Sequence, residues 1–303
     1  MRNTPSLSNR SDVTTVLRTL ERDWTYRPSA PSARARLSRL VRGFRRAPAP
    51  PSRALVPITP APLWIAYFLY LPDGRLTASH RYTIARLREE RGAKVLLIAA
   101  TPAPDGGSVL DELGRAADAL YWKGLSGFDF SAFALALDEV AAHSSGSELI
   151  LLNDSVFGPF ASLSALFATM PWTVAGLTGN AVYESHVQSY CWRIRSVQRQ
   201  LVSDLGDVMS RDWAYDRFGD VVLLQETRLA ARAARVTSVG AKWYIPLTSR
   251  SADLPRIAPL EMLDLGLPLM KKSVLGKYGH LHRSADLMSV LRRFDHPNPG
   301  VDA

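Results

Sequence analysis

Short apolar runs alternate with helical patterns from residue 63 to residue 153. The hydrophobic positions predict strands at 63–70, 94–101, 119–122 and 149–153, and helices at 78–91, 108–118 and 130–142. Strands that alternate with helices of these lengths form βαβ units, in which neighbouring strands are parallel and crossovers are right-handed. This part of the chain is therefore predicted to be a layered α/β unit.

The pattern after residue 160 is less regular. It predicts helices at 162–170, 196–205 and 226–234, strands at 173–178, 186–195 and 242–246, and a last ordered part at 259–275. The turn-forming pair Gly179-Asn180 separates two of these strands, which indicates a hairpin-like insertion. Adjacent antiparallel strands after a parallel half predict a mixed sheet.

The first 58 residues differ from the rest of the chain. Residues 11–24 fit a short capped helix, and residues 35–46 place apolar side chains at helical spacing beside five arginines. Such a helix is typical of an anionic membrane surface or an acidic partner, and the alternative is a solvated, partly disordered tail. Proline-rich stretches at 47–52 and 57–62 predict an extended linker into the domain. We therefore expect a basic segment at 1–58, an α/β domain at 59–280 and a tail at 281–303.

Charge and cysteine content narrow the classes of function. Residues 1–58 hold twelve arginines and three acidic residues, so they account for the whole net charge of +9. A neutral body argues against nucleic acid as a partner. The single cysteine, Cys191, excludes an internal disulfide and a thiol cluster for zinc. With no secretory-signal pattern or spanning apolar run, we expect a cytoplasmic protein that could associate peripherally with the inner membrane.

Familiar motifs for nucleotide binding and hydrolysis are missing from the sequence. It has no Gly-x-Gly-x-x-Gly after the first strand, no Gly-x-x-x-x-Gly-Lys-Ser/Thr, no Gly-x-Ser-x-Gly and no His-Glu-x-x-His. The strongest chemical feature is Asn153-Asp154-Ser155, which follows a predicted strand directly. Open α/β sheets bind ligands at such strand ends, although the same residues also serve as helix caps.

Four ordered blocks, at 151–160, 175–178, 185–190 and 265–275, resemble successive blocks of the rhamnan synthesis F family. Asp73-Gly74 and Gly127-Phe-Asp-Phe130 also resemble family positions, so the likeness spans roughly residues 64–276. These bacterial polysaccharide-assembly proteins are generally regarded as glycosyltransferases. The resemblance implies a GT-A-like, nucleotide-sugar-binding α/β domain of three layers with a mixed sheet.

The same resemblance implies transfer of a sugar, rhamnose or another deoxyhexose, from a nucleotide-sugar donor. The expected acceptor is a cell-surface polysaccharide such as lipopolysaccharide, or its lipid-linked precursor. A non-catalytic binding or scaffolding module in polysaccharide assembly is the alternative.

A nucleotide-sugar donor requires positive charge near its diphosphate, since negative charge grows there as the glycosidic bond breaks. Asp154 is the candidate ligand for Mg²⁺ or Mn²⁺, with neutral oxygens from Asn153 and Ser155. A single carboxylate departs from the usual Asp-x-Asp, so Lys271 and Lys272 are the alternative source of charge. Two further candidates for donor binding are Asp73, for base or ribose, and Gln188, for a sugar hydroxyl.

The acceptor hydroxyl must lose a proton as it attacks, so a carboxylate or imidazole should lie within hydrogen-bond reach. The candidates are Glu226, at the predicted start of a helix, and His186 in a predicted strand. The alternative for Glu226 is favourable electrostatics in the first helical turn. The alternative for His186 is a half-buried histidine whose hydrogen bonds are satisfied.

Overall fold

The computed structural model describes residues 10–31, 33–105, 107–246 and 253–298. The strands are β1 (Glu21–Thr25), β2 (Ala47–Pro48), β3 (Ser52–Val56), β4 (Leu63–Tyr70), β5 (Ala93–Ala100), β6 (Ala119–Lys123), β7 (Glu148–Asn153), β8 (Val156–Phe157), β9 (Val174–Asn180), β10 (His186–Val187), β11 (Cys191–Ile194), β12 (Trp213–Ala214), β13 (Val239–Ile245) and β14 (Met270–Lys271).

The helices are α1 (Arg10–Arg18), α2 (Ala33–Gly43), α3 (Ala78–Arg88), α4 (Ser108–Ala116), α5 (Phe128–His143), α6 (Leu163–Ala168), α7 (Arg199–Asp204), α8 (Phe218–Val221), α9 (Thr227–Ala233), α10 (Leu254–Ile257), α11 (Pro259–Asp264) and α12 (Ser284–Arg293). A π-helical turn, Val222–Glu226, joins α8 to α9, and short 3₁₀ turns follow β14. Within the described ranges, every helix is too short or too polar to cross a bilayer.

A mixed sheet of ten strands forms the centre of the protein. Its order is β1-β13-β9-β11-β7-β4-β5-β6-β3, with β10 beside β9. Strands β7, β4, β5 and β6 are parallel, whereas β11 runs antiparallel between β7 and β9. The parallel strands therefore end at one common edge of the sheet, where a ligand site is expected.

Helices cover both faces of this sheet. Trp64, Ala66 and Phe68 of β4 pack into one core with α5 and α9, whereas Ile65 and Tyr67 point to the opposite core, which holds α3, α4 and α6. Both faces of β4 are buried, which explains its unbroken apolar sequence. The predicted three-layer α/β fold with a mixed sheet is confirmed.

Two elements in the second half of the chain differ from the sequence predictions. The strand predicted at 186–195 is divided into β10 and β11, because the Ser189 N–H donates to the Glu226 carboxylate instead of a neighbouring strand. The helix predicted to begin at Glu226 begins at Phe218 and passes through the π turn. Glu226 therefore does not lie in a first helical turn, and that explanation of its role is wrong.

The segment before residue 59 contributes strands to opposite edges of the sheet. β1 pairs with β13 at one edge, and β3 pairs with β6 at the other. The first stretch predicted as a linker contains β2, which pairs with β12, and β3 lies almost entirely between the two predicted linker stretches. At the other end of the chain, Leu287 and Leu291 of α12 pack against Phe157 and Met270.

Candidate functional site

Asp154 follows β7 at the edge where the parallel strands end. Its Oδ2 accepts a hydrogen bond of 2.8 Å from the backbone N–H of Tyr70, the last residue of β4. His80 Nε2 lies 3.9 Å from the same oxygen. Burial raises the pKa of Asp154, and the Tyr70 N–H and the Lys272 ammonium act against this shift. Asp154 is therefore largely buried and lies near the Lys272 ammonium and the His80 imidazole.

The backbone of Lys271 and Lys272, from a distant part of the sequence, lies beside the residues that follow β7. β14 pairs antiparallel with β8, so that Lys271 lies opposite Val156. The backbone N–H of Lys272 donates to the Ser155 carbonyl over 2.9 Å. This pairing brings the C-terminal block of the predicted donor site directly beside the Asn-Asp-Ser strand end.

Asp253 connects Lys271 to Gln188. Its carboxylate lies 3.4 Å from Lys271 Nζ and 2.9 Å from Arg256. It also accepts a hydrogen bond of 3.2 Å from Gln188 Nε2. Burial acts to raise the pKa of Asp253, but Lys271, Arg256 and Gln188 hold it below its usual value. Because Thr178 also donates to Gln188 Oε1 over 2.6 Å, the orientation of that amide is fixed.

A pair of carboxylates, Asp129 and Glu226, lies on the other side of Asn153 and is termed the acid pair below. Asn153 Nδ2 donates to Asp129 Oδ2 over 2.8 Å. The Ser189 N–H and Oγ donate to Glu226 Oε1 over 2.8 and 3.0 Å, and Ser189 Oγ lies 3.4 Å from Asp129 Oδ2. One hydroxyl proton serves two carboxylates, so Ser189 links the acid pair directly.

Burial raises the pKa of Asp129 to about 6; the Asn153 amide acts to lower it, and the nearby Glu226 charge acts to raise it. A carboxyl with this pKa can exchange a proton near neutral pH, as a general base or acid requires. The neighbouring Lys123 is buried and donates to the Ser126 carbonyl over 2.8 Å. Burial lowers its pKa to about 8, whereas Asp129 and Asp216 act in the opposite direction.

Unusual backbone geometry presents both acids. Gly127 has φ +83° and precedes Phe128 with φ +49°, in the left-handed region that favours glycine. A Cβ at Gly127 would come within 2.7 Å of Ser131 Oγ, so the approach to Asp129 requires glycine there. Glu226 ends a π turn, a distortion that occurs frequently at functional sites.

Seven of the nine candidates from sequence belong to this connected arrangement: Asn153, Asp154, Ser155, Gln188, Glu226, Lys271 and Lys272. His186 is buried in β10, where its Nδ1 lies 2.8 Å from the Glu184 carbonyl. Asp73 lies on an exposed turn just beyond β4, and its carboxylate accepts a hydrogen bond of 3.1 Å from the Arg75 N–H.

Sequence reasoning did not select Asp129, Asp253 or Lys123. The signal for Asp129 was the block Gly127-Phe-Asp-Phe130, a family-like stretch whose acid begins a helix. Asp253 and Lys123 have no such signal, since each also depends on residues that are distant in sequence: Gln188 for Asp253 and Asp216 for Lys123.

The donor atoms near Asp154 can be tested against the needs of a divalent ion. Asp154 Oδ2 is occupied by the Tyr70 N–H, and Asn153 Oδ1 accepts from the Ser155 N–H at 3.2 Å and Oγ at 2.5 Å. Across the described ranges, no group of three or more His, Cys, Asp or Glu side chains is arranged to hold a metal ion. A single carboxylate beside a lysine fits fixed positive charge better than a cation cage built by protein alone.

Comparisons with known proteins leave the family open. No protein-family model matches the chain, and no curated protein matches it. Membership of the rhamnan synthesis F family therefore stays a prediction.

Two solved structures are similar in part. A mannosyltransferase from Pyrobaculum calidifontis, in complex with GDP-Man and Mn²⁺, matches at 11% identity and TM-score 0.38, over 68% of this chain and 63% of that one. A 4-diphosphocytidyl-2C-methyl-D-erythritol synthase from Anaerococcus prevotii matches at 12% identity and TM-score 0.33, over 62% of this chain and 91% of that one. This chain spans less than two thirds of the mannosyltransferase's length. With TM-scores below 0.5, neither likeness assigns an activity to it.

Proposed function

We propose that this protein is a glycosyltransferase that moves a sugar from a nucleotide-sugar donor to a polysaccharide or its lipid-linked precursor. The observation that carries the proposal is the division of charge around Asn153. Lys271 and Lys272 adjoin the strand end on the Asp154 side, and the acid pair is held on the other side. A transferase requires both chemistries within one sugar's reach. Rhamnose or another deoxyhexose is the sugar that the family resemblance suggests.

In this proposal the donor's diphosphate binds beside Lys272, with Lys271 behind it. Negative charge grows on the leaving nucleoside diphosphate as its bond to the sugar breaks, and a nearby ammonium stabilises that charge. Asp154 orients the site by holding the Tyr70 N–H and attracting Lys272. A divalent ion, if one binds with the donor, would depend on diphosphate oxygens in addition to Asp154.

The acid pair acts on the acceptor. As the acceptor oxygen bonds to the anomeric carbon, its proton passes to a carboxylate, and the nucleoside diphosphate leaves with the electrons of the broken bond. Glu226 is the base that contacts the acceptor. Asp129 is a positioning residue that acts through Ser189 and Asn153, and its pKa of about 6 allows the pair to accept a proton.

A panel of nucleotide sugars, each with and without Mg²⁺ or Mn²⁺, tests the proposal. Thermal stabilisation by one donor, together with slow donor hydrolysis or transfer to added glycan, is expected. Asp154→Asn should retain the Tyr70 hydrogen bond but weaken stabilisation, whereas Asp138→Asn, at a half-exposed position on α5 near Arg211, should not. If no donor stabilises the protein and none is hydrolysed, the binding or scaffolding alternative is favoured.

A further inference from the structure

The helix α2 has a basic side and an apolar side. Its basic side faces the body of the protein, which the sequence alone does not predict. Arginines of α2 contact the body of the protein: Arg39 pairs with Glu184 and donates to Thr227 Oγ1 over 2.9 Å, and Arg42 lies 3.2 Å from Asp220. Arg45, just beyond the helix, lies 3.5 Å from the same aspartate. These contacts fix the helix on the π turn and α8.

The apolar side of α2 consequently faces outward. The exposed fractions are 64% for Leu37, 66% for Leu40, 57% for Val41 and 85% for Phe44. These four side chains are termed the apolar face below. Helix α1 is different, because Val13, Val16 and Leu17 pack against the core that holds α3, α4 and α6. Only α2 of these two helices presents an apolar stripe to its surroundings.

The apolar face is close to the acid pair. Arg39 Nε donates to the Leu223 carbonyl over 3.2 Å, and Leu223 lies in the same π turn as Glu226. Arg42 also donates over 3.3 Å to Gly219, which follows Phe218. Phe218 is 70% exposed, and its ring centroid lies 6.5 Å from that of Phe128, the residue before Asp129.

We propose that the apolar face docks on the surface of an anionic lipid bilayer. Residues 33–46 contain six arginines and no acidic residue, and the carboxylates that they meet in the described structure are Glu184 and Asp220. Positive charge therefore remains in excess around four exposed apolar side chains. This combination binds at the boundary between anionic headgroups and acyl chains.

Docking in this orientation also indicates that the acceptor comes from the same bilayer. This inference rests on the proposed function. A lipid-linked glycan in the same bilayer would reach the acid pair past Phe128 and Phe218. Such a substrate remains anchored while its sugar end enters the site, so enzyme and acceptor share one surface.

Sedimentation of the full chain with vesicles tests the docking. Phosphatidylcholine vesicles are compared with vesicles that also contain phosphatidylglycerol, at low and high salt. Deletion of residues 1–58 is not suitable, because it removes both edge strands β1 and β3. The test variant is L40S with F44S, and the matched control is V236S, which changes a half-exposed valine between α9 and β13, outside the apolar face.

The wild type and V236S should bind phosphatidylglycerol vesicles in a salt-sensitive manner, and the double variant should bind at least about tenfold more weakly. Equal binding by the wild type and the double variant, or no binding by the wild type, would overturn the proposal. A concentration-dependent dimer that F44S abolishes would also overturn it, by showing that a second copy covers the face. Donor stabilisation measured on the same variants tests the proposed function separately, since none of these substitutions lies in the donor site.

Discussion

Two carboxyl groups on either side of Asn153 have opposite surroundings. Asp154 faces His80 and Lys272 and holds a backbone N–H, whereas Asp129 faces Glu226 through a shared serine hydroxyl. Burial raises the pKa of both groups, so burial does not distinguish them. The sign of the neighbouring charge does: the Lys272 ammonium on one side suits a phosphate, and a second acid on the other suits proton transfer.

The largest expected effect comes from neutralising the acid pair. Glu226→Gln should lower the turnover of sugar transfer by about 10²- to 10⁴-fold, because a general base contributes that much, while donor affinity is unchanged. Asp129→Asn should also lower turnover, and the double variant should lose less than the product of the two, since the residues share Ser189. Steady-state kinetics and donor titration measure both quantities. Loss of donor affinity instead of turnover would break the proposed division of roles.

Removing the positive charge near Asp154 should lower donor affinity instead of turnover. Lys272→Met should weaken donor affinity by about 10- to 100-fold, since a charge-assisted hydrogen bond contributes about 1.5–3 kcal/mol. Isothermal titration with a nucleotide sugar and with the free nucleoside measures the loss. Only the diphosphate-containing ligand should be affected, and equal weakening of both would exclude a phosphate contact.

Stability should depend on pH through Asp129. Its pKa is raised from 3.8 to about 6 in the folded protein, so its stabilising contribution is present at low pH and is lost as pH rises towards 6 and above. After allowance for solvent screening the loss is roughly 2 kcal/mol in the free energy of unfolding. Urea unfolding at pH 4 to 8 should show this fall in the wild type. The difference between wild type and Asp129→Asn isolates it, and an Asp138→Asn control should retain the wild-type profile.

Asp73 should give the smallest effect. The turn that holds it is exposed, so a hydrogen bond to ribose would contribute about 1 kcal/mol, or roughly fivefold in donor affinity. Titration of Asp73→Ala with the donor measures the change. An unchanged affinity would leave Asp73 with its observed hydrogen bond to the Arg75 N–H and no part in binding.

Features that a local sequence pattern determines can be predicted, whereas features that depend on contacts between residues distant in sequence cannot. Strand β4 is buried on both faces and lies where its continuous apolar run predicts, at 63–70. The break between β10 and β11 was not predicted, because it depends on a hydrogen bond from Ser189 to Glu226, a residue distant in sequence. Trp24 was assigned to a helix by local spacing, yet it belongs to β1, whose partner β13 supplies the hydrogen bonds.

The candidate site follows the same rule. Asn153, Asp154 and Ser155 could be selected because they follow a strand directly, and strand ends are visible in sequence. The link between Asp129 and Glu226 could not, since a π turn and a distant serine together bring these acids close. Asp253 likewise acquires Lys271 as a partner only when β14 is placed beside β8.

The placement of β1 and β3 at opposite edges of the sheet has a consequence for the order in which the chain folds. The ribosome makes residues 21–56 before their partners, which are Ala119–Lys123 and Val239–Ile245. β3 can pair once β6 has emerged, whereas β1 must wait until β13 has been synthesised. Closing so long a loop slows folding, and the edge of β13 is open to foreign strands until it closes. The strand β1 is thus made long before β13, and its edge of the sheet is completed only after β13 exists.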